Sequence, residues 1–435
     1  MLCPGCSGGY RGLQLRRRLL GFLLPQALLR QGKRSGRKGQ NAAAVGSRFQ
    51  AVVDGDWGRI LDLLNADKEE NRRRAQARRS LRRRLRNVQD DKEKQREMVM
   101  WRVAMGEVGK AADRIRSPGV ASMDTDSPTV QATLQSKFPD RQRPMPATVT
   151  RGQIVDNLGG LKDALLELEP GTAPGVGGMR PEFLIILGKL MSEADMERLE
   201  EHGMNSLNGN YPAWYYRAAA AVTTVPLFKS SLQDESKLRP LGIAPSSVRL
   251  WDRMAAKQNR PALQSYLEPQ QQALSKAGAH RTVHMVRMSL ELHRDWICFK
   301  LDVANAHSSI WRAAVLEVLE TETSLRHRAW SYATSVAAPS TLESGGQAWG
   351  EAGEGLMQGK PSSQGYFSVG WHPEVRKLDA EVSSEGAARV FSDDGYIFGH
   401  PDVVIPAYLR FEQRILNRCG LRLEREKTVI YARDG

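Results

Sequence analysis

The sequence predicts an α+β fold, on three observations. In "WICFKLDVANAH", residues 296–307, Phe299, Leu301 and Val303 alternate with Cys298, Lys300 and Asp302, the period of a strand with one buried face. In "RVFSDDGYIFG", residues 389–399, two short apolar runs flank Asp393, Asp394 and Gly395, a hairpin signal. Between 402 and 418, Val403, Ala407, Phe411, Ile415 and Leu416 recur at helical spacing, and Gly420 stands where a helix C-cap needs a left-handed residue. With 435 residues the chain has room for two or three domains.

Along the chain, residues 1–47 read as a basic arm, expected to be disordered, ending in the linker-like "QGKRSGRKGQNAAAVG". Residues 48–116 read as a helical, arginine-rich region. A first helix over 48–66 is carried by Phe49, Val52, Val53, Trp57, Ile60, Leu61 and Leu64, and a long charged helix follows to about 108. Its middle holds Arg72, Arg73, Arg74, Arg78, Arg79, Arg82, Arg83 and Arg84, with only Leu81 and Leu85 as an apolar stripe. Two readings stand: a solvated charged face, or a surface for a phosphate backbone, which guanidinium forks suit and salt would weaken. Residues 117–150, rich in Ser, Pro, Asp and Thr, read as linker with one short helix near 128–137.

Residues 151–221 read as a helical lead-in with a helix over 181–191. The glycine-rich loop at 171–178 fits neither GxGxxG nor GxxxxGK[ST], so it carries no phosphate fingerprint. From 222 the pattern turns to strands: "TTVPLFKS", then "KLRPLGIAP", ended by prolines. Helices are expected over 247–263, 280–295 and about 309–322, and "LRLEREKTVIYA" is expected as one last strand.

The formal net charge is +14 and the pI about 9.7, which favours an anionic partner. The first fifty residues carry ten Lys or Arg and no acid. That suits a nucleic-acid arm, a nuclear signal or an organelle transit peptide, and composition alone leaves the three open. The apolar run "LLGFLLPQALL" is too short to span a bilayer and contains Pro25, so no membrane association is expected. Four scattered cysteines do not make a disulfide scaffold, and Cys3 and Cys6 supply only half the ligands of a zinc site.

The acidic residues carry the chemistry. Asp302 ends one expected strand, and Asp393 and Asp394 lie at the turn of an expected hairpin. Were these strands neighbours, three carboxylates would face one spot. Like charges there raise one another's pKa unless cations intervene. Magnesium suits oxygen ligands that must also hold phosphates, and two such ions can stabilise both attacking and leaving oxygens of a phosphoryl displacement. The competing reading is a surface Asp-Asp-Gly turn.

The ordered wording of six segments resembles the reverse transcriptase domain of non-LTR retrotransposons, over about 220–432. "PLFKSSLQDESKLRPLGIAPSSVR" (226–249) is similar to the fingers strands of that family, and "LEPQQQALSKAGAHRTVHMVRM" (267–288) to the link that follows. "FKLDVANAHSSIWRAAVLEVL" (299–319) is similar to its first catalytic block, and "EGLMQGKPSSQGYFSVGWHPEVRKLDAEV" (354–382) to its Gln-Gly-x-Pro block. "VFSDDGYIFGHPD" (390–402) resembles the Asp-Asp hairpin, and "RCGLRLEREKTVIY" (418–431) the Gly-Leu and Lys-Thr block after it.

The resemblance implies a right-hand polymerase with fingers and palm over 222–435, the palm an antiparallel sheet backed by helices. It implies RNA-directed DNA synthesis from dNTPs on an RNA template and a DNA primer. Asp302, Asp393 and Asp394 would hold Mg²⁺, or Mn²⁺ in its place. Lys237 and Arg239, with Lys229, would contact triphosphate or template. Gln358 and Gly359 would line the nucleotide, and Lys427 would stand near pyrophosphate. A nuclear location is the matching expectation.

Several positions depart from the family pattern. His307 stands where Phe or Tyr screens the sugar 2′-hydroxyl, Lys360 where Asp is frequent, and Ser392 where Ala is frequent. No thumb is expected after the Lys-Thr block. Two alternatives follow: a truncated or inactive remnant that only binds nucleic acid, and an RNA-directed RNA polymerase, which also uses a paired-Asp hairpin.

Overall fold

Two four-stranded sheets organise the part of the chain that carries the candidate site. The structure is a computed structural model. It describes scattered positions between 51 and 100, residues 120–121, and 128–432 apart from 153–156, 230–231 and 345–346. Cys3, Cys6 and the arginines from Arg72 to Arg84 lie outside the described residues. The chain divides into two units, residues 1–119 with 177–179, and residues 120–176 with 180–435. In the first unit the chain is helical at Ala51 and again at Gly58, Arg59 and Asp62. The single helix expected there is broken at Asp54 and Asp56, because the Asp56 carboxylate accepts the Arg59 N–H at 3.1 Å and so starts a new turn.

The second unit is a mixed α/β structure with largely antiparallel sheets. Helices α1 (Pro128–Gln135), α2 (Leu161–Leu166), α3 (Pro181–Leu190), α4 (Glu193–Leu207) and α5 (Ala213–Ala219) precede β1 (Val222–Phe228) and β2 (Leu238–Ile243). Helices α6 (Ser246–Leu267) and α7 (Gly278–Leu292) lead to β3 (Ile297–Leu301) and β4 (Val303–Ala304). Next come α8 (Ala306–Ser309), α9 (Arg312–Thr321), α10 (Ala329–Val336), β5 (Ser340–Ser344) and β6 (Gln347–Ala352). The long α11 (Ser363–Val382), the hairpin β7 (Gly386–Phe391) and β8 (Asp394–Gly399), α12 (Pro401–Cys419), β9 (Arg422–Leu423) and β10 (Val429–Ala432) complete it.

The first sheet has the order β2-β1-β5-β6, the second β10-β3-β8-β7, and β4 pairs with β9. In the first, Pro226 lies opposite Pro240. Neither can donate to a ladder, and the site tolerates them because β5 pairs with β1 only at Val222 and Thr223. Farther along, residues 120–121 take the edge, Ala121 N–H donating to the Pro226 carbonyl at 2.9 Å. The second sheet is antiparallel throughout, with Leu301 opposite Gly395 and Phe391 opposite Asp394.

The two sheets differ in what covers them. The second shares one large core with α9, α11 and α12, in which Trp371, Phe367, Phe411, Leu301 and Ile397 are essentially inaccessible. The first rests on two small clusters, one around Phe138 and Val222, the other around Val130, Leu134 and Leu238. Residues 128–150, linker-like in composition, are pinned here. The buried Glu354 carboxylate accepts the N–H groups of Gln142, Arg143 and Arg312 at 3.0, 3.3 and 2.8 Å. Arg141 donates to the Val336 and Ala337 carbonyls.

The helix expected at about 309–322 forms as α9, starting after a turn at Ile310 and Trp311 where Trp311 N–H reaches the Cys419 carbonyl at 2.9 Å, and the short α8 precedes it. The single last strand becomes β9, a 3₁₀ turn at Arg425–Lys427 and β10. Glu424 N–H donates to the Asp302 carbonyl at 2.8 Å, which draws this segment across the end of β3. The expected cap at Gly420 forms, with φ 70°.

Candidate active site

The acidic residues meet because β3 and β8 are neighbours. With Leu301 opposite Gly395, Asp302 emerges from the end of β3 beside the start of β8, where Asp394 stands. Asp393 occupies the turn. The turn closes one residue earlier than the Asp-Gly wording indicates: Phe391 pairs with Asp394, leaving Ser392 and Asp393 as its central residues. Ser392 has φ 62°, a left-handed value that glycine usually supplies in a tight hairpin. Gln271 compensates by gripping both backbone groups of Ser392, accepting its N–H at 3.0 Å and donating to its carbonyl at 3.1 Å. The Ser392 hydroxyl donates to Gln364 at 2.9 Å. Gly395 lies inside β8, where the Leu301 and Val390 side chains close over it.

The site's electrostatics follow from this crowding. The Asp394 carboxyl is raised above the usual carboxylate range, first by burial, then by Asp393, with Asp302 adding to it and Lys300 opposing. Asp302 is partly relieved: Lys427 Nζ donates to its Oδ2 at 3.1 Å and also lies 3.4 Å from Glu424. That bond is the main reason the Lys427 ammonium is held above its ordinary range.

A group of cations stands beside the acids. The Lys229 ammonium is pushed down first by burial, then by Lys137, Lys427 and Arg239, while Asp302 pulls it up. Lys229 follows β1 and Arg239 projects from β2, exposed. The first sheet thus brings Lys229 into the field of Asp302, with Arg239 beside Lys229. Lys137 is delivered by the turn after α1, where its carbonyl accepts the Asn305 amide at 2.6 Å. Asn305 takes a left-handed φ of 49° between β4 and α8.

The remaining expected residues spread around this centre. Lys237 is exposed and lies 3.7 Å from Asp234. The Gln358 carbonyl accepts the Gly242 N–H at 3.0 Å. Gly359 has φ 108°, and a Cβ there would lie 2.7 Å from the Gly242 carbonyl oxygen, so this crossing of the loop over β2 requires glycine. His307 is buried and stacks on Phe367, with ring centroids 4.4 Å apart. Burial holds its imidazole below the ordinary range despite Asp393 and Gln364. Lys360 faces Asp252, a residue of α6.

Gln271, Gln364 and Lys137 are the contributors that sequence reasoning missed. The glutamine run after Pro269 was the available signal for Gln271, since three consecutive glutamines between apolar residues imply backbone partners. Lys137 gave none, because it lies 165 residues before Asp302.

The donor set suits a hard cation. It offers carboxylate oxygens only, and the strain on Asp394 is of the kind a cation relieves. As they stand, no three His, Cys, Asp or Glu side chains among the described residues close into a metal-holding group, and Lys427 occupies one Asp302 oxygen. No helix among the described residues is long and apolar enough to cross a membrane. No known family model matches the chain. No curated protein matches it either.

Proposed function

We propose that the second unit carries the fingers and palm of an RNA-directed DNA polymerase, joining dNTPs to a primer 3′-hydroxyl. The observation that carries this reading is the meeting of Asp302 and Asp394 at adjacent strand ends, with Asp394 raised by burial and by its acidic neighbours against the pull of Lys300, and with Lys427 and Lys229 in the field of Asp302. A triphosphate fits such a divided field: its phosphates take Lys229, Arg239 and Lys137, and the acids take the metal.

Asp302, Asp393 and Asp394 would hold Mg²⁺, which when bound neutralises charge on the attacking and leaving oxygens of a phosphoryl displacement. The chain's own residues position. Gln271 and Gln364 fix the hairpin turn, and Gly359 lets its loop cross β2 closely. His307, neutral at pH 7, supplies a flat ring against Phe367. Lys427, bonded to Asp302 Oδ2, would compete with a cation for that oxygen and would stand near the phosphates. In this reading positioning and charge placement carry the catalysis.

Primer extension on an RNA template tests it, with dNTPs or rNTPs offered in separate arms and Mg²⁺ or Mn²⁺ present. Incorporation of dNTPs by wild type, lost in Asp302→Asn and in Asp393→Asn/Asp394→Asn, is the expected result. Equal incorporation by wild type and the variants would falsify it. Incorporation of rNTPs alone would transfer the site to RNA synthesis. A second reading, nucleic-acid binding without turnover, is favoured by the Lys427–Asp302 pair and the open carboxylate geometry. It predicts salt-dependent RNA binding with no incorporation by wild type.

A further inference from the structure

A cavity of ≈ 460 Å³ lies between α6, α10 and the segment from Gly355 to Tyr366, and none of the three acidic-site aspartates lines it. This volume is in the range of small-molecule pockets, about 300–1,000 Å³. Its charge is one-sided. Among the described residues, Arg253, Lys257, Arg260, Arg312, Arg328 and Lys360 line it against a single acid, Asp252. Val248, Leu263, Leu274 and Met357 supply apolar wall.

The cations differ in what they have left to offer. Arg312 spends its guanidinium on the Gly355, Val336, Ala338 and Ala352 carbonyls and on Ser340. Arg260 is committed to the Leu274 carbonyl. Arg328 is 2 % exposed, and its Nε has no partner among the described residues although its Nη2 bonds Asn259 at 2.7 Å. Trp251, also 2 % exposed, leaves its indole N–H without a partner among the described residues. The Lys360 ammonium has no hydrogen bond among the described residues. Its counter-charge, Asp252, already accepts the Ser362 N–H at 2.9 Å. Burial pushes Lys360 down and Asp252 up, so the pair is poorly solvated. The unmatched buried donors of Arg328 and Trp251 beside one cavity are costly unless an acceptor fills it, and Lys360 is partly buried next to them.

We infer that this cavity binds a small organic anion, an apolar or aromatic body bearing one carboxylate or phosphate, which takes the unused donors of Arg328, Trp251 and Lys360. The inference is independent of the polymerase reading. Calorimetric titration of the full 435-residue chain tests it with three probes: 1-naphthyl phosphate, 1-naphthoate and the neutral 1-naphthalenemethanol. One or both anions are expected to bind at least about tenfold more tightly than the alcohol, and the two anion arms separate phosphate from carboxylate. Lys360→Met should weaken the anions about tenfold and leave the alcohol unchanged. Ala256→Trp, which fills the cavity, should abolish all three. Asp394→Asn should bind like wild type, which keeps this result apart from the acidic site. Equal affinity of wild type for alcohol and anions, no binding of either anion, or binding retained by folded Ala256→Trp overturns the proposal. The comparison of probes on wild type stands even if a variant does not fold.

Discussion

The two sheets place opposite charges on unequal foundations. The second sheet, which carries Asp302, Asp393 and Asp394, is backed by a continuous core running through α9, α11 and α12. The first, which carries Arg239 and leads to Lys229, rests on two small clusters and on residues 128–138 packed beside it. Carboxylates that must hold a fixed geometry sit on the better-packed sheet. Under the proposed function, the cations, which would only need to be near a flexible polyphosphate, sit on the thinner one. The largest expected effects test that contrast. Phe411→Ala, in the large core, should cost about 3–5 kcal/mol and lower the urea midpoint of the whole second unit. Phe138→Ala should cost toward the lower end of that range, because its ring partner Trp349 is only partly buried. Hydrogen exchange separates them further: Phe138→Ala should speed exchange in β1 and β2 while β3 and β8 stay protected. Equal loss of protection in both sheets would remove the distinction.

The next effect concerns charge on the rigid side. Asp394 has its folded pKa raised, so the folded state holds this proton more tightly than the unfolded chain does. Its ionisation therefore opposes folding at neutral pH, and the penalty fades as pH falls through the raised pKa. Asp394→Asn should raise the thermal midpoint at pH 7, and the gain should vanish at low pH, where both proteins carry a neutral side chain. Millimolar Mg²⁺ should raise the midpoint of wild type more than that of Asp394→Asn. A midpoint indifferent to Mg²⁺ in wild type would detach the acids from metal.

How far the sequence revealed this contrast depends on the signal each region carries. The second sheet was legible because apolar residues recur at strand spacing in "WICFKL", two short apolar runs bracket the aspartates in "VFSDDGYIFG", and one face meets a large core. The hairpin between β5 and β6 was not, since "STLES" and "QAWGEA" are short of apolar residues and what they bury, Leu342 and Ala352, packs on Phe138, Val222 and Met357. The turn position shifted because a glutamine far along the chain, Gln271, makes φ 62° affordable at Ser392. Lys360 was expected beside the nucleotide, yet it faces a buried aspartate on α6, a partner 108 residues earlier that no local pattern announces.

His307 gives a smaller and pH-selective effect. Burial lowers its folded pKa, so the unfolded chain binds the extra proton more readily. Its contribution to stability is whole above the ordinary histidine range and declines as pH falls through that range toward the folded value. His307→Phe keeps the stack on Phe367 and removes the titration. Its midpoint should match wild type closely at pH 8 and exceed it at pH 5. If the two proteins keep a constant offset from pH 8 to pH 5, the ring is not protonated during acid unfolding.

The smallest expected effect on stability falls on the bridge between the two charge fields, Lys427. Lys427 and Asp302 are 57 % and 36 % exposed, so Lys427→Met should cost under about 1 kcal/mol, less still in high salt. The lysine's folded pKa is raised, so its contribution is complete below the ordinary lysine range and is lost as pH rises through the folded value. The difference between variant and wild type should therefore narrow in alkali. Metal response tells more. A lysine bonded to Asp302 Oδ2 competes with any cation for that oxygen, so Lys427→Met should show its Mg²⁺-induced thermal shift at lower metal concentration than wild type. A weaker response would mean that Lys427 holds Asp302 in the geometry the metal needs. The charge crossing between the sheets would then belong to the better-packed side and not to the thinner one.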